Sequence, residues 1–192
     1  VLGAGYLTAV MLGRLKSASM ELANRERKAQ HEAKHDQMSG LPNRRHYVER
    51  LQEDLDALVQ ARNNEHVVVA YIDVDRFKDV NDTLGHQAGD ALIMAVGARL
   101  RKALGKDDFL ARFGGDEFVV VLSKVEQVDT VMAVMNKIAA VIRAPFWSGN
   151  KELQVSVSMG VALSDALCQE AELLIERADA AMYQAKSQGR HT

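Results

Sequence analysis

The chain has 192 residues, which suits one domain with an appendage and is long enough to bury a substantial core. Hydrophobic residues make up 47% and charged residues 26%, and the net charge of −2 excludes a strongly basic surface, so no nucleic-acid partner is expected. The single cysteine, Cys168, excludes an internal disulfide and fits a cytosolic setting; we interpret it as a passive thiol near a helix start.

Residues 1–13 carry no charge, and the basic residues Arg14 and Lys16 follow them directly. A full membrane span needs about 20 apolar residues, so this stretch is too short to be one by itself. No initiating Met and no basic leader precede it, which argues against a signal peptide. We interpret residues 1–13 as the cytoplasmic end of a transmembrane helix that obeys the positive-inside rule. The alternative is a buried or disordered amphipathic start.

Residues 14–36 are rich in Ala, Glu, Lys and Arg and contain neither Gly nor Pro, a composition that propagates a helix. We interpret residues 14–34 as a helical signalling stalk that pairs in a dimer, with the domain proper at 35–192. The alternative is a single solvated helix, because the apolar heptad stripe is thin: Leu15, Ala18, Leu22 and Ala29.

The elements of the domain follow in order. After Pro42, Asn43 is a good N-cap for a helix whose apolar residues include Leu51, Leu55 and Val59. Residues 67–72, VVVAYI, are an unbroken apolar run rich in β-branched residues, which predicts a strand buried on both faces. A second helix follows, and its apolar face comprises Ala88, Leu92, Val96, Leu100 and Leu104.

Two strand-like runs, 109–113 and 118–122, flank Gly114-Gly115, which is a strong hairpin signal. Residues 153–163 alternate apolar with small or polar side chains, which predicts one strand with a single buried face. Helical spacing predicts a helix on either side of that strand, with apolar faces Val131, Val134, Met135, Ile138, Ile142 and Ala171, Leu174, Ile175, Ala178, Met182, Ala185. This order predicts an α+β fold, in which helices flank a mixed central sheet that contains antiparallel strands.

Acidic residues gather at the ends of two predicted strands. Asp73 and Asp75 follow the first strand, while Asp116 and Glu117 open the strand after the two glycines. If these strands are neighbours, Asp73 and Asp116 meet at one sheet edge, where converging carboxylates repel each other unless a cation joins them. Oxygen ligands with room for water and phosphate suit Mg²⁺. Either pair alone is more often solvated surface, but the two together favour a site.

Five motifs carry a resemblance to a known family. Residues 112–118, RFGGDEF, contain the GGDEF signature of diguanylate cyclases, and residues 73–82 resemble the D-x-D-x-F-K-x-x-N-D segment of that family. Residues 85–90, GHQAGD, resemble its G-H-x-x-G-D motif. Residues 36–45 are similar to its opening D-x-L-T-G-L-P-N-R-R, and residues 180–190 match its closing A-x-Y-x-A-K-x-x-G-R pattern. The resemblance implies a fold like the catalytic fold of class III nucleotide cyclases.

The resemblance also implies roles for individual residues. Asp73, the backbone carbonyl of Val74 and Asp116 match the metal-binding positions, and Asp116 also matches the proton acceptor for the 3′-hydroxyl. Glu117 is the neighbouring acid that supports the metal or the base. Asn81, His86 and Asp90 match the positions that recognise the nucleotide, and Lys78, Lys186 and Arg190 resemble the phosphate contacts. Gly114 and Gly115 have no side chains, so a phosphate chain can lie against their turn.

The implied reaction condenses two GTP into cyclic di-GMP and releases two pyrophosphates, with Mg²⁺ as cofactor and Mn²⁺ as an alternative. Each domain holds one GTP, so the resemblance implies a homodimer that meets through the GGDEF domain and also through the stalk. We expect a cytoplasmic domain of an inner-membrane protein. The alternative is a catalytically silent GTP-binding module that regulates a partner such as an EAL phosphodiesterase. A P-loop nucleotidase is excluded because no G-x-x-x-x-G-K-[ST] motif occurs.

The sequence departs from the family in its product-inhibition motif, R-x-x-D. Asp108 holds the place of the aspartate, but Gly105 stands where the arginine would be, which predicts weak feedback. His191 replaces a common Asn, and the sequence ends at Thr192, before the last strand that is typical of the family. We therefore expect that strand outside this sequence: either the sequence is cut short or another domain follows. Segments that resemble residues 143–163 often occur in composite proteins with a C-terminal EAL phosphodiesterase domain, but nothing in this sequence indicates one.

Overall fold

The computed structural model describes residues 2–61, 64–148, 151–165 and 169–188. It separates into two units, one up to His35 and the other from Asp36 onward. The first unit is one helix, α1 (Leu2–Lys34), so the uncharged start and the predicted stalk are continuous. No helix in the described ranges combines the length and the apolar character that crossing a membrane requires.

A four-stranded sheet runs through the second unit. β1 (His66–Val74) lies between β3 (Glu117–Val125) and β6 (Val157–Leu163), and β2 (Phe109–Gly114) pairs with the other side of β3. All three pairings in this sheet, as far as its residues are described, are antiparallel. The predicted α+β class and the hairpin around Gly114-Gly115 are therefore confirmed.

Helices cover both faces of this sheet, as they do in the predicted sandwich. On one face lie α4 (His86–Ala103) and α5 (Val128–Arg143), and on the other lie α2 (Arg44–Ala61) and α6 (Ala171–Ser187). Successive β1 side chains enter opposite cores because strand residues alternate, so its apolar run is buried on both sides. Val59, which the helical pattern placed on the buried face of α2, is 52% exposed.

Two predicted elements are each divided in the structure. The helix expected after β1 is two helices, α3 (Phe77–Leu84) and α4, separated at Gly85, whose φ is 84°. The strand expected over 153–163 is also divided, into β5 (Lys151–Leu153) and β6. β5 pairs with β4 (Phe146–Ser148) in a separate hairpin, whose three-residue strands are too short for a periodic pattern to show.

The break between β5 and β6 has its cause in a contact with a residue that is distant in sequence, Asp75. The backbone N–H of Asp75 donates to the carbonyl of Ser156 at 2.9 Å, and the Ser156 hydroxyl donates to the Asp75 carboxylate. This segment is therefore attached to the end of β1 and does not extend either strand.

Candidate active site

The end of β1 and the start of β3 bring the predicted acidic residues together. Asp73 lies directly opposite Glu117 in the antiparallel register, and the N–H of Val74 donates to the carbonyl of Asp116 at 3.2 Å. Directly opposed residues of an antiparallel pair project on the same face, so two carboxylates share this end of the sheet. The expectation that β1 and β3 are neighbours is confirmed.

The turn between β2 and β3 needs both of its glycines for conformational reasons. Gly114 has a φ of 152° and Gly115 a φ of 49°, values that residues with side chains rarely adopt. A Cβ added at either position would meet no heavy atom within 4 Å. The space beside this turn is therefore open, which suits the approach of a ligand to the backbone.

Arg112 holds this turn through hydrogen bonds to its backbone, and the Arg112 side chain is only 6% exposed. Its Nη2 and Nε donate to the carbonyl of Gly115 at 2.8 and 3.2 Å, and its Nη1 lies 2.6 Å from Oδ1 of Asp36. Burial alone would raise the pKa of Asp36, but hydrogen bonds from Ser39 and the contact with Arg112 outweigh it and lower that pKa. The opening motif and the signature are thus linked by an ion pair. Both residues stand in matched motifs, but nothing in the sequence indicates that they contact each other.

Lys186, near the end of α6, places its Nζ 2.6 Å from Oδ2 of Asp73. Burial, together with the negative charges of Asp116 and Glu117, raises the pKa of Asp73 to about 6, and the nearby ammonium acts in the opposite direction. The site therefore gathers more negative charge than Lys186 offsets, and a further cation would relieve it.

The donor set fits a hard divalent cation. The carboxylates of Asp73 and Asp116 and the carbonyl of Val74 offer oxygen atoms of the kind that Mg²⁺ prefers, and Mg²⁺ commonly keeps several waters or phosphate oxygens as further ligands. Within the described residues, no three side chains of His, Cys, Asp or Glu are gathered as a metal site. A metal here would therefore rely on the backbone carbonyl and on oxygens from outside the protein.

The predicted nucleotide-recognition residues lie where α3 meets α4. Gly89 packs against Asn81, since a Cβ at Gly89 would come within 1.9 Å of Oδ1 of Asn81. This Oδ1 is buried and has no hydrogen-bond partner among the described residues, so it is an unsatisfied acceptor. Asp90, the residue after Gly89, is partly exposed, and His86 is exposed at the first position of α4.

Other predicted residues do not join the acidic group. Lys78 and His86 are exposed and make no hydrogen bond or ion pair with the described part of the chain. The carboxylate of Asp75 accepts hydrogen bonds from the hydroxyls of Ser156 and Ser158, the latter at 2.7 Å. It therefore does not join Asp73 in the acidic group. Three further residues named from the sequence lie outside the described residues: Cys168, Arg190 and His191.

Comparisons with known proteins show the family to which the chain belongs. The family model described as diguanylate cyclase, GGDEF domain, matches residues 33–192. The diguanylate cyclase TpbB of Pseudomonas aeruginosa (strain UCBPP-PA14) is 36% identical over 182 residues, which cover 94% of this chain and 41% of that protein. The cyclic di-GMP phosphodiesterase PdeR of Escherichia coli K12 is 39% identical over 169 residues, which cover 86% of this chain and 25% of that protein.

Among solved structures, the coiled coil and GGDEF domain of DgcB from Caulobacter crescentus, in complex with c-di-GMP, is similar with a TM-score of 0.85 and 25% identity. That similarity covers 94% of this chain and 95% of the DgcB chain. The chain spans less than half the length of the two curated relatives. With a family model that matches most of its length, the chain belongs to the diguanylate cyclase GGDEF domain family.

Proposed function

We propose that this chain is the catalytic domain of a diguanylate cyclase, which condenses two GTP into cyclic di-GMP and releases two pyrophosphates. The observation that supports this most is the register that places Asp73 opposite Glu117, with Asp116 at the adjoining open turn and Lys186 paired to Asp73. The similarity to TpbB, a named diguanylate cyclase, agrees with it.

We assign Mg²⁺ as the cofactor, with Mn²⁺ as an alternative, held by Asp73, Asp116 and the carbonyl of Val74. When bound, the metal neutralises charge on the triphosphate and polarises the α-phosphate. Asp116 lies at the open turn and accepts the proton of the attacking 3′-hydroxyl. Glu117, directly opposite Asp73, adds negative charge that favours the cation.

Residues around α3 recognise the guanine of the substrate, and cationic side chains bind its phosphates. The unpartnered Oδ1 of Asn81 accepts a hydrogen bond from the Watson–Crick edge of guanine, and the carboxylate of Asp90 accepts a second. Adenine lacks this pair of donors, so these acceptors would be left mispaired. His86 completes the nucleotide contacts, and the phosphate contacts are Lys78, Lys186 and Arg190.

Each domain is expected to hold one GTP, so the active species is a homodimer in which two such domains face each other. The stalk at 14–34 would hold the two chains together, and the DgcB structure likewise contains a coiled coil with its GGDEF domain. The uncharged residues 1–13 followed by Arg14 and Lys16 support a membrane anchor with the catalytic domain in the cytoplasm.

The experiment is an assay of the purified protein with GTP and Mg²⁺, read out as cyclic di-GMP by mass spectrometry over a wide dilution series. The proposal expects product, and a rate per protomer that rises with protein concentration, because two half-sites must meet. A rate per protomer that stays constant in a protein shown to be monomeric would exclude the two-protomer scheme.

A silent GTP-binding module is the second candidate, and the similarity to PdeR, a phosphodiesterase by name, favours it. Such a module would bind GTP at Asn81 and Asp90 without turnover and act on an attached or partner domain such as EAL. Calorimetry that detects GTP binding, combined with no cyclic di-GMP at any protein concentration, would select this candidate over the cyclase.

A further inference from the structure

A groove of about 940 Å³ lies between α3 and the segment that joins β5 to β6. Its volume suits a nucleotide-sized ligand. Lys186, which pairs with Asp73, also belongs to its lining, so the groove adjoins the candidate active site. Asn81 does not line it; that residue faces Gly89 of α4. The groove is therefore separate from the place assigned to guanine.

Four cationic side chains line this groove: Arg76, Arg143, Lys151 and Lys186. Lys186 is engaged by Asp73, but the other three make no hydrogen bond or ion pair with the described residues, and all three are exposed. Cations that no carboxylate among the described residues pairs with are available to an anion from outside, and guanidinium groups in particular match phosphate oxygens in pairs.

Two carboxylates also line the groove and offset part of this positive charge, and one of them already accepts hydrogen bonds from the protein. Asp75 is 6% exposed and accepts hydrogen bonds from the hydroxyls of Ser156 and Ser158. Asp79 is exposed and open to the groove. With Lys186 and Asp75 both engaged, three available cations face one available carboxylate, so the groove favours an anion.

Apolar side chains also line the groove. Val80 and Leu84 come from α3, and Leu153 and Val155 come from β5 and the residues after it. Phosphate and pyrophosphate have no apolar part that could pack against these side chains, whereas a nucleoside can cover them.

The backbone around Arg143, one of the residues that line the groove, is held by Arg99. Arg99 of α4 donates to the carbonyl of Val141 at 3.0 Å and also to the carbonyls of Ala144 and Pro145. Its guanidinium carbon lies 3.5 Å from the centre of the Phe146 ring. These contacts hold the backbone on both sides of Arg143, at the corner between α5 and β4.

We propose that this groove binds a nucleotide other than the GTP undergoing cyclisation. Arg76, Arg143 and Lys151 contact its phosphates, and the apolar side chains of α3 and β5 lie against its nucleoside. The proposal does not depend on the cyclase activity, since binding is measured without turnover.

The test is isothermal titration calorimetry on the whole chain without divalent metal, with ADP, cyclic di-GMP and inorganic pyrophosphate as separate probes. The groove variant is Arg143→Gln/Lys151→Gln. The matched control is Arg101→Gln/Lys102→Gln, which removes two exposed cations from the last turn of α4, outside the groove. Thermal unfolding establishes that both variants are folded. An Asn81→Ala/Asp90→Ala variant separates binding in the groove from binding at the site assigned to guanine.

We expect ADP or cyclic di-GMP to bind the wild type and the Asn81→Ala/Asp90→Ala variant alike, and pyrophosphate to bind more weakly. The groove variant should weaken nucleotide binding by about tenfold or more, because two charged contacts are lost, while the control should stay within about twofold. The proposal is overturned if neither nucleotide binds at millimolar concentration, if both double variants weaken binding equally, or if pyrophosphate binds as tightly as the nucleotides.

Discussion

Lys186 and Asp73 form an ion pair, with Nζ of the lysine 2.6 Å from Oδ2 of the aspartate and the side chains 29% and 8% exposed. The pair connects the last turn of α6 to the end of β1, on the face of the sheet that α6 covers. The ammonium opposes the effects of burial and of Asp116 and Glu117, which together still raise the pKa of Asp73 to about 6. Lys186 therefore stabilises the charged form of Asp73, which burial and the two neighbouring acidic residues disfavour.

Replacement of this lysine tests its place in the site. Lys186→Gln should lower the rate of cyclic di-GMP synthesis by about tenfold or more, because it removes a charged contact of ~1.5–3 kcal/mol. The measurement is kcat/KM for GTP at saturating Mg²⁺, with Lys137→Gln, an exposed lysine of α5, as the control. Equal rates for the two variants would show that Lys186 has no part in the reaction.

The raised pKa of Asp73 predicts how stability depends on pH in the metal-free protein. Between the ordinary pKa of 3.8 and the raised pKa of about 6, the folded state binds more protons at Asp73 than the unfolded state does, so stability falls as pH rises through this window. The fall is of the order of 1–3 kcal/mol. Asp73→Asn should lack it. The measurement is urea unfolding from pH 4.5 to 7 without divalent metal; identical slopes for both proteins would refute the assignment.

The strands could be predicted from the sequence because each has a local signal. The apolar run of β1 and the Gly-Gly turn between β2 and β3 follow from burial and from backbone conformation, and both predictions are confirmed. The division of 153–163 could not be predicted, because its cause is the contact of Ser156 with Asp75, far away in the chain. Local periodicity carries no information about such a partner.

The site shows the same limit. The resemblance named Asp73 and Lys186 separately, but their ion pair depends on how α6 packs across the sheet. Arg112 and Asp36 received no role from the sequence, yet they brace the signature turn. Such contacts arise from tertiary packing. A motif gives the residue types at each position but does not indicate which of them contact each other.

The signature aspartate is the most direct test of the proposed chemistry. Asp116→Asn should lower cyclic di-GMP synthesis by about 10²–10⁴-fold, since it removes the proposed base and a metal ligand. The melting temperature should change little, because Asp116 holds Val74 through its backbone carbonyl and not through its side chain. Asp107→Asn, at an exposed position before β2, is the control. A folded Asp116→Asn protein with at least half of the wild-type rate would contradict the mechanism.

Gly89 gives a steric test of base recognition. In Gly89→Ala the new Cβ would lie 1.9 Å from Oδ1 of Asn81, so the amide must move and GTP binding should weaken by about tenfold or more. Gly97→Ala, in the same helix, meets Leu41 at 3.1 Å and should leave GTP binding unchanged. Calorimetry with GTP and ATP measures both effects. The assignment fails if the wild type binds ATP as tightly as GTP, or if Gly89→Ala binds GTP normally.

Feedback by the product is the last test, and it concerns the position where the sequence departs from its family. The N–H of Gly105 donates to Oδ2 of Asp108 at 2.7 Å, so this aspartate is held by the backbone, while Gly105 offers no side chain to a ligand. The neighbouring Lys106 supplies a point charge and not the planar donor fork of an arginine. We therefore expect little inhibition of the wild type by cyclic di-GMP at low micromolar concentration.

Gly105→Arg should restore feedback. A Cβ at this position would lie 3.1 Å from Oδ2 of Asp108, and the backbone is not in the left-handed region, so an arginine can be accommodated by a small shift of the carboxylate. The added guanidinium should tighten product binding by about tenfold or more, since each charged hydrogen bond to phosphate is worth ~1.5–3 kcal/mol. Product titration into the cyclase assay, with calorimetry on the same samples, measures the effect, and Lys106→Arg is the control. Tight, stoichiometric product binding that stops turnover in the wild type would show that other residues form the inhibitory site, and the inference from Gly105 would be wrong.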